Sequence, residues 1–487
     1  MSVSPTRDDP VVAGLSEVVG GPTGSRAGHG WRIGALGVLL AVTCLTFALG
    51  MVSKTTCAER GWDDPGQTPY THLCVSQLPA PYTGDGLVEL AWPWTGETDT
   101  RARYGVLDDP AGVGLWQYAA ARVTHVLTGS PDVSERFREP PGVVADRADV
   151  GRERSVFVAV NVVGLAVLAM LATAALAAVH RRRPWDAAGF AAAPVLATAG
   201  VLAWDLLPVA AAAGALWAWT RGRPVLAGAL VGLGAATGLW PVLLLAAFAL
   251  VAARERRATD ALPAAVTGLA VWALVNAPAF LTGRAQWEAY WSATFGRVAD
   301  QGSIWLVLRQ TVGMSDGSVT ALSWALVGLW LAAVAALVVA APRPPRVSQV
   351  AFLLVAVPLL FGAAYQPQQA LWLLPFAALA RPRWRDLLIW QSGELLHFAL
   401  LWWWLGGLLA PSGGGDAGFY WIGVGLRVAG TLWLVAVVVR DVWWPEHDPV
   451  DPDEETPRRR VAVSSVSSAS VAGEAEDVRD PRFTGYP

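Results

Sequence analysis

Charge is scarce in this sequence. Only 15% of its 487 residues are Asp, Glu, Lys or Arg, where soluble domains carry about 25%. The formal net charge of -3 leaves no basic surplus to hold a nucleic acid, and none is expected as a partner. Nucleotide-phosphate signatures are missing: there is no GxxxxGKS/T run, and no GxGxxG follows a strand. Zinc-type Cys/His spacing and a Ser nucleophile elbow are missing too. Cysteine is sparse, with three residues. Cys44 sits in the first apolar run, while Cys57 and Cys74 lie in the polar segment after it. In an oxidising compartment that pair can close a disulfide; two free thiols are the equal alternative.

What fills the chain is apolar. Hydrophobic residues make up 54%, with 26 Trp and 33 Pro. Trp gathers at membrane interfaces, and Pro is tolerated in membrane helices. The repeated apolar runs read as an all-α polytopic membrane protein embedded in a lipid bilayer. These runs alternate with arginines. Ile33 to Val52 is the first. Val156 to Val179 ends at Arg181-Arg182-Arg183, Leu206 to Trp219 at Arg221 and Arg223, and Val242 to Ala253 at Arg254, Arg256 and Arg257. Val319 to Ala341 ends at Arg343 and Arg346, Ala370 to Ala380 at Arg381, Arg383 and Arg385, and Phe419 to Val439 at Arg440. Ala187 to Ala203, Val225 to Gly238, Ala261 to Leu281, Val350 to Ala364 and Leu387 to Ala410 cross between them.

Placing every arginine cluster inside gives a multi-pass plasma-membrane protein with about twelve spanning or re-entrant helices and both termini cytoplasmic. The bundle is expected over residues 31–440, flanked by disordered polar tails at 1–30 and 441–487. A large extracytoplasmic loop, 54–153, is expected to carry a surface-lying helix near 112–127. The polar breaks at Trp204-Asp205, Trp240-Pro241, the Trp287 stretch and Gln366 then share the outer face. Several runs are only about 12 to 16 residues long, below the ~20 needed to span. Short, Pro-broken helices are stable when they line a protein-walled cavity, so a wet vestibule is expected there.

Several residues could carry chemistry in such a vestibule. Asp205 is either a helix N-cap or a carboxylate that binds a substrate hydroxyl or a metal ion. Gln391 and Glu394 share one helix face, beside Trp390 and His397. They form either an interhelical hydrogen-bond cluster or a functional site. The loop acids Asp85, Glu89 and Asp109 are candidate bases, against the plain reading of solvated charges; Asp108-Asp109-Pro110 also resembles a helix start. Trp92, Trp94, Tyr104, Trp116 and Tyr118 can stack on sugar rings or anchor at the interface. Gly228, Gly232 and Gly234 within a helix suggest close packing. No metal-ligand set is legible; the cofactor stays open, with a divalent cation among the candidates.

The segments VLAWDLLPVAAAAGALWAWTRGRPVLAGALVGLGAATGLWPVLLL, DQGSIWLVL and YQPQQALWLLPFAALARPRWRDLLIWQSGELL, with the loop THLCVSQLPAPYTGDGL, resemble actinobacterial polyprenyl-phosphate-mannose-dependent mannosyltransferases of the GT-C superfamily. The resemblance covers most of residues 31–440. It implies a GT-C-like bundle that transfers a hexose, mannose first, from a polyprenyl-phosphate donor to an envelope glycolipid or glycan on the extracytoplasmic face. The matching positions are Trp204, Asp205, Pro241, Tyr365, Pro367, Gln368, Trp390, Gln391 and Glu394. Trp204, Asp205, Tyr365, Gln368, Gln391 and Glu394 are therefore expected to hold substrate or lipid phosphate. The departures fall on the chemistry. Where that family has Cys-Tyr-Ser-Asp with a basic aspartate, this chain reads Cys74-Val75-Ser76-Gln77. A Glu-Tyr-Pro becomes Arg103-Tyr104-Gly105, and two lysines become Gly238 and Gly362-Ala363. The alternative is a catalytically degenerate homologue that binds partners or carries lipid-linked sugar. A secondary transporter is a third reading, but no inverted repeat is legible.

Overall fold

The computed structural model describes residues 34–60, 62, 66–105, 109–180, 182–409 and 418–450. The tails at 1–30 and beyond 450 lie outside these residues, as do Asp108, Arg181 and Ala410. Every regular element among the described residues is helical. The principal helices are α1 (Ala35–Val52), α2 (Ala111–Leu127), α3 (Ala148–Val179), α4 (Leu206–Thr220), α5 (Pro224–Thr237), α6 (Leu243–Arg254) and α7 (Ala261–Thr282). They continue as α8 (Arg284–Phe295), α9 (Ile304–Val312), α10 (Asp316–Ala340), α11 (Val347–Phe361), α12 (Ala370–Ala380), α13 (Trp384–Leu405) and α14 (Gly418–Trp443). Helices α1, α3, α7, α10 and α14 are long and apolar enough to cross a membrane. The chain is an all-α polytopic membrane protein.

Length separates the outer helices from the inner ones. At 1.5 Å per residue an 11-residue helix is about 16 Å long, roughly half the hydrocarbon core. Such a helix cannot face lipid alone. Accordingly α12, with 11 residues, is buried along nearly its whole length, as is α11 beside it. Around them pack α4, α6, α10 and α14. Between α5 and α7 the glycines bring the backbones together: a Cβ on Gly232 would run into the carbonyl of Gly268.

Three boundaries differ from those read in the sequence. Helix α3 begins at Ala148, before the apolar run, because its charged first turns have partners. Glu153 receives two bonds from Arg136, at 2.8 and 2.6 Å, and Asp149 pairs with Arg147 at 3.1 Å. The run Ala187 to Ala203 is not one crossing. Pro194 removes a donor and holds Ala193 extended, so the segment splits into Ala188–Ala191, Pro194–Ala199 and a turn. Residues 441–450 belong to the fold, because buried Asp441 and partly buried Asp448 are each held in an ion pair.

Those pairs form a lock. Arg381, fully buried, meets Asp386 at 2.9 Å and Asp441 at 2.6 Å. Arg346 meets Asp448 at 2.8 Å and donates to the carbonyls of Leu379 and Ala380. At the other end of the bundle, Cys57 and Cys74 form a disulfide. Lys54, the single lysine of the chain, donates from Nζ to the carbonyls of Val75 at 2.9 Å and Leu73 at 3.3 Å. Burial lowers its pKa to about 8.

Candidate active-site cavity

A cavity of about 530 Å3 opens at the end of the bundle opposite the Arg381 lock. Asp205 starts α4 there, Thr237 ends α5, Leu243 starts α6 and Gly362 follows α11. The far ends of these helices meet arginines: Arg221 after α4, Arg223 before α5, Arg254 ending α6 and Arg346 before α11. The alternation of arginines with polar breaks is thus one of helix ends, and the breaks gather in one place.

Asp205 occupies the N-cap position of α4, yet its side chain caps nothing. It turns into the cavity, where Oδ1 accepts a 2.6 Å bond from Trp372 Nε1. Trp372 in turn stacks on Trp240, with ring centroids 5.7 Å apart. In the turn before α4, desolvation raises the Asp205 pKa to about 6, with Asp109 adding repulsion. Asp109 reaches the cavity from the first loop, just ahead of α2, and accepts a 2.6 Å bond from Gln117 Nε2. Two carboxylates from distant parts of the sequence therefore act on one another across one space. Perturbed carboxylates in a cavity mark a candidate site for proton transfer.

Amides and indoles supply much of the remaining wall. Gln77 enters from the loop, held by its backbone N–H on Leu202 O at 2.8 Å. Gln366, Gln368 and Gln369 enter from the turn after α11. Within that turn Gln368 Nε2 donates to Gln366 Oε1 at 2.5 Å. The turn is fixed from behind, where Trp305 Nε1 donates to Phe361 O at 2.9 Å and Asp300 N to Ala363 O at 3.1 Å. Trp240 Nε1 is buried without a partner. Trp204 lines the cavity, its Nε1 donating to Asn161 Oδ1 at 2.8 Å.

The sequence-derived candidates divide. Asp109, Trp204, Asp205 and Gln368 line the cavity; Asp85, Glu89, Tyr365, Gln391 and Glu394 do not. Glu89 is paired with Arg103 at 2.5 Å. Asp85 lies within electrostatic reach of Arg101. Glu394 sits behind the cavity turn in a buried cluster, accepting from Tyr365 Oη at 2.5 Å and Trp390 Nε1 at 3.0 Å. The Arg427 guanidinium lies 3.8 Å from the Tyr365 ring centroid. Gln391 Oε1 accepts from Val195 N at 3.2 Å. The loop aromatics pack on one another, Trp92 against Trp94 and Tyr118, and outside the cavity lining.

Sequence reasoning missed Trp372, Gln117 and Arg297. Trp372 hides in an unbroken apolar run. Arg297 carried a signal, because it breaks the arginine rhythm by lying between α8 and α9, on the cavity side. Gly238, Gly362 and Ala363, the positions where the resemblance expects lysines, do line the cavity. Among the described residues no three His, Cys, Asp or Glu come together as a metal-ligand set.

No curated protein matches this chain. Residues 148–362, from the start of α3 through Gly362 at the cavity, match the family model of Glycosyltransferase family 87, and this similarity supports a membrane glycosyltransferase.

Proposed function

We propose that the protein transfers a hexose, mannose first, from a polyprenyl phosphate to a hydroxyl of an envelope glycolipid or glycan. The carrying observation is the cavity that gathers Asp109, Asp205, Gln77 and Gln368 between indole walls. Carboxylates and amides are hydroxyl-binding groups, and indole faces suit sugar rings. The cavity also reaches the bundle surface. Phe295, Trp324 and Val242 line it while keeping 52%, 55% and 42% of their surface exposed. That gap supports entry of a lipid tail from the side. The disulfide near the cavity supports an extracytoplasmic site, with the arginine-flanked ends and both termini in the cytoplasm of a plasma-membrane protein.

In this reading the acceptor hydroxyl oxygen attacks the anomeric carbon of the donor sugar. The bond from that carbon to the phosphate oxygen breaks, and polyprenyl phosphate leaves. The hydroxyl proton passes to Asp109, the loop carboxylate. Asp205, Trp204 and Gln368 hold the sugars, while Tyr365, Gln391 and Glu394 support the wall from behind. The test is transfer of labelled hexose from polyprenyl-phosphate donors by purified protein in nanodiscs with envelope lipid as acceptor. Asp109→Asn is expected to lower the rate by roughly 100-fold. No transfer with any polyprenyl-phosphate hexose overturns the proposal.

A second reading, an idle homologue that binds lipid-linked sugar, is favoured by Gln77. It lines the same cavity where the resemblance places the basic aspartate, and an amide does not take up a proton at neutral pH. Transfer that appears only in Gln77→Asp supports this reading; transfer by the native protein that Asp109→Asn abolishes ends it.

A further inference from the structure

We infer that Arg297 is the anion-binding residue of the cavity, pairing with the phosphate of an isoprenyl phosphate at the lipid-facing rim and so fixing which way the donor points. The inference deepens the transferase reading and rests on it for the identity of the ligand. Among the described residues that line the cavity, Arg297 alone is cationic. The turns through Gly238 and Gly362-Ala363, which face the same space, bring no basic side chain.

Position argues for a ligand. Arg297 follows α8 directly after Phe295 and Gly296, beside the gap through which a tail would leave. Its neighbours in this stretch already have acidic partners: Arg284 meets Glu288 at 2.7 Å and Arg309 meets Asp316 at 3.2 Å. Arg297 makes no ion pair with a described residue, although its charge reaches Tyr290 on the same wall. A guanidinium is a planar fork suited to two phosphate oxygens. Next to apolar surface, that fork is matched by an anion on an apolar chain.

The charges of the cavity then orient the donor. Asp109 and Asp205 repel a phosphate, whereas Arg297 attracts it. The phosphate therefore rests at the rim and the sugar points toward the carboxylates, where the acceptor hydroxyl must lose its proton. When the glycosyl bond breaks, the phosphate gains negative charge beside Arg297, which stabilises the leaving group as well as the bound donor.

The test is binding of farnesyl phosphate, farnesol and inorganic phosphate to the full-length protein in nanodiscs, by calorimetry. Wild type is expected to bind farnesyl phosphate at least tenfold more tightly than either farnesol or phosphate alone. Arg297→Gln is expected to lose that advantage at an unchanged melting temperature, because no described residue depends on Arg297 for an ion pair. Arg297→Lys is expected to keep part of it, and Arg309→Gln all of it. Wild-type affinity in Arg297→Gln, or equal binding of farnesol and farnesyl phosphate to wild type, overturns the inference. Inorganic phosphate binding as tightly as farnesyl phosphate also overturns it, since the apolar rim then contributes nothing. Binding needs no turnover. A protein that binds farnesyl phosphate through Arg297 but transfers no sugar sinks the transferase reading and leaves Arg297 standing.

Discussion

The two ends of the helix bundle treat buried charge in opposite ways. At the Arg381 end, Asp386 and Asp441 are fully buried and each meets a guanidinium within 3 Å. At the cavity end, Asp205 is desolvated, feels Asp109 as a like charge and is met by an indole N–H and a backbone N–H in place of a guanidinium. Glu394 lies between these extremes, hydrogen-bonded to two aromatic side chains with Arg427 nearby. Pairing a buried carboxylate satisfies it and fixes the packing around it. Leaving one under-compensated raises its pKa and readies it for exchange of protons or substrate hydroxyls. The contrast distinguishes carboxylates that hold this fold from carboxylates that are available to work.

Removing charges one at a time tests the contrast. Arg381→Gln removes the buried partner that Asp386 and Asp441 share, leaving them only the more exposed Arg385 and Arg440. It is expected to cost about 3 kcal/mol, the low end for a broken buried pair, read as a drop in melting temperature in detergent. An unchanged melting temperature would show that the lock is not structural. Glu394→Gln keeps a hydrogen-bond acceptor for Tyr365 but removes the negative charge near Arg427. It is expected to cost about 1–3 kcal/mol, while folded protein keeps its affinity for lipid phosphate. A loss of affinity equal to that of Arg297→Gln would move Glu394 into the binding site. Asp205→Asn has the smallest effect on stability, with the opposite sign. The folded-state pKa of Asp205, about 6, lies above the ordinary value of about 3.9. Between these values the folded protein holds more protons than the unfolded chain, so stability falls as pH rises through that window. The variant should therefore melt above wild type at pH 7.5, with the gap closing below about pH 4. A lower melting temperature at pH 7.5 would place Asp205 among the structural carboxylates.

The bundle was legible because its signals are local. An uncharged run such as Ala35–Val52 has few alternatives to a helix in lipid, and the repeated arginines mark one set of helix ends. Asp205 and Gln368 were legible as candidates because both stand in polar breaks of apolar runs. Glu394 looked equally promising by that criterion, yet it lies behind Tyr365 and outside the cavity. A carboxylate in an apolar helix signals a cost without saying what offsets it. Among the loop acids, the pairing of Glu89 with Arg103 and the exposure of Asp109 to the cavity depend on how the loop folds back on the bundle.

The sequence by itself determined the membrane class, the all-helical fold and the alternation that sends polar breaks to one end. Each follows from hydrophobicity and charge counted over neighbouring residues. Only the tertiary structure decided that Asp109 faces Asp205, that Trp372 bonds Asp205 in place of a helix cap, and that Arg297 lines the cavity wall. Those pairings join residues far apart in the chain, and helix packing sets their distances, which no local pattern encodes.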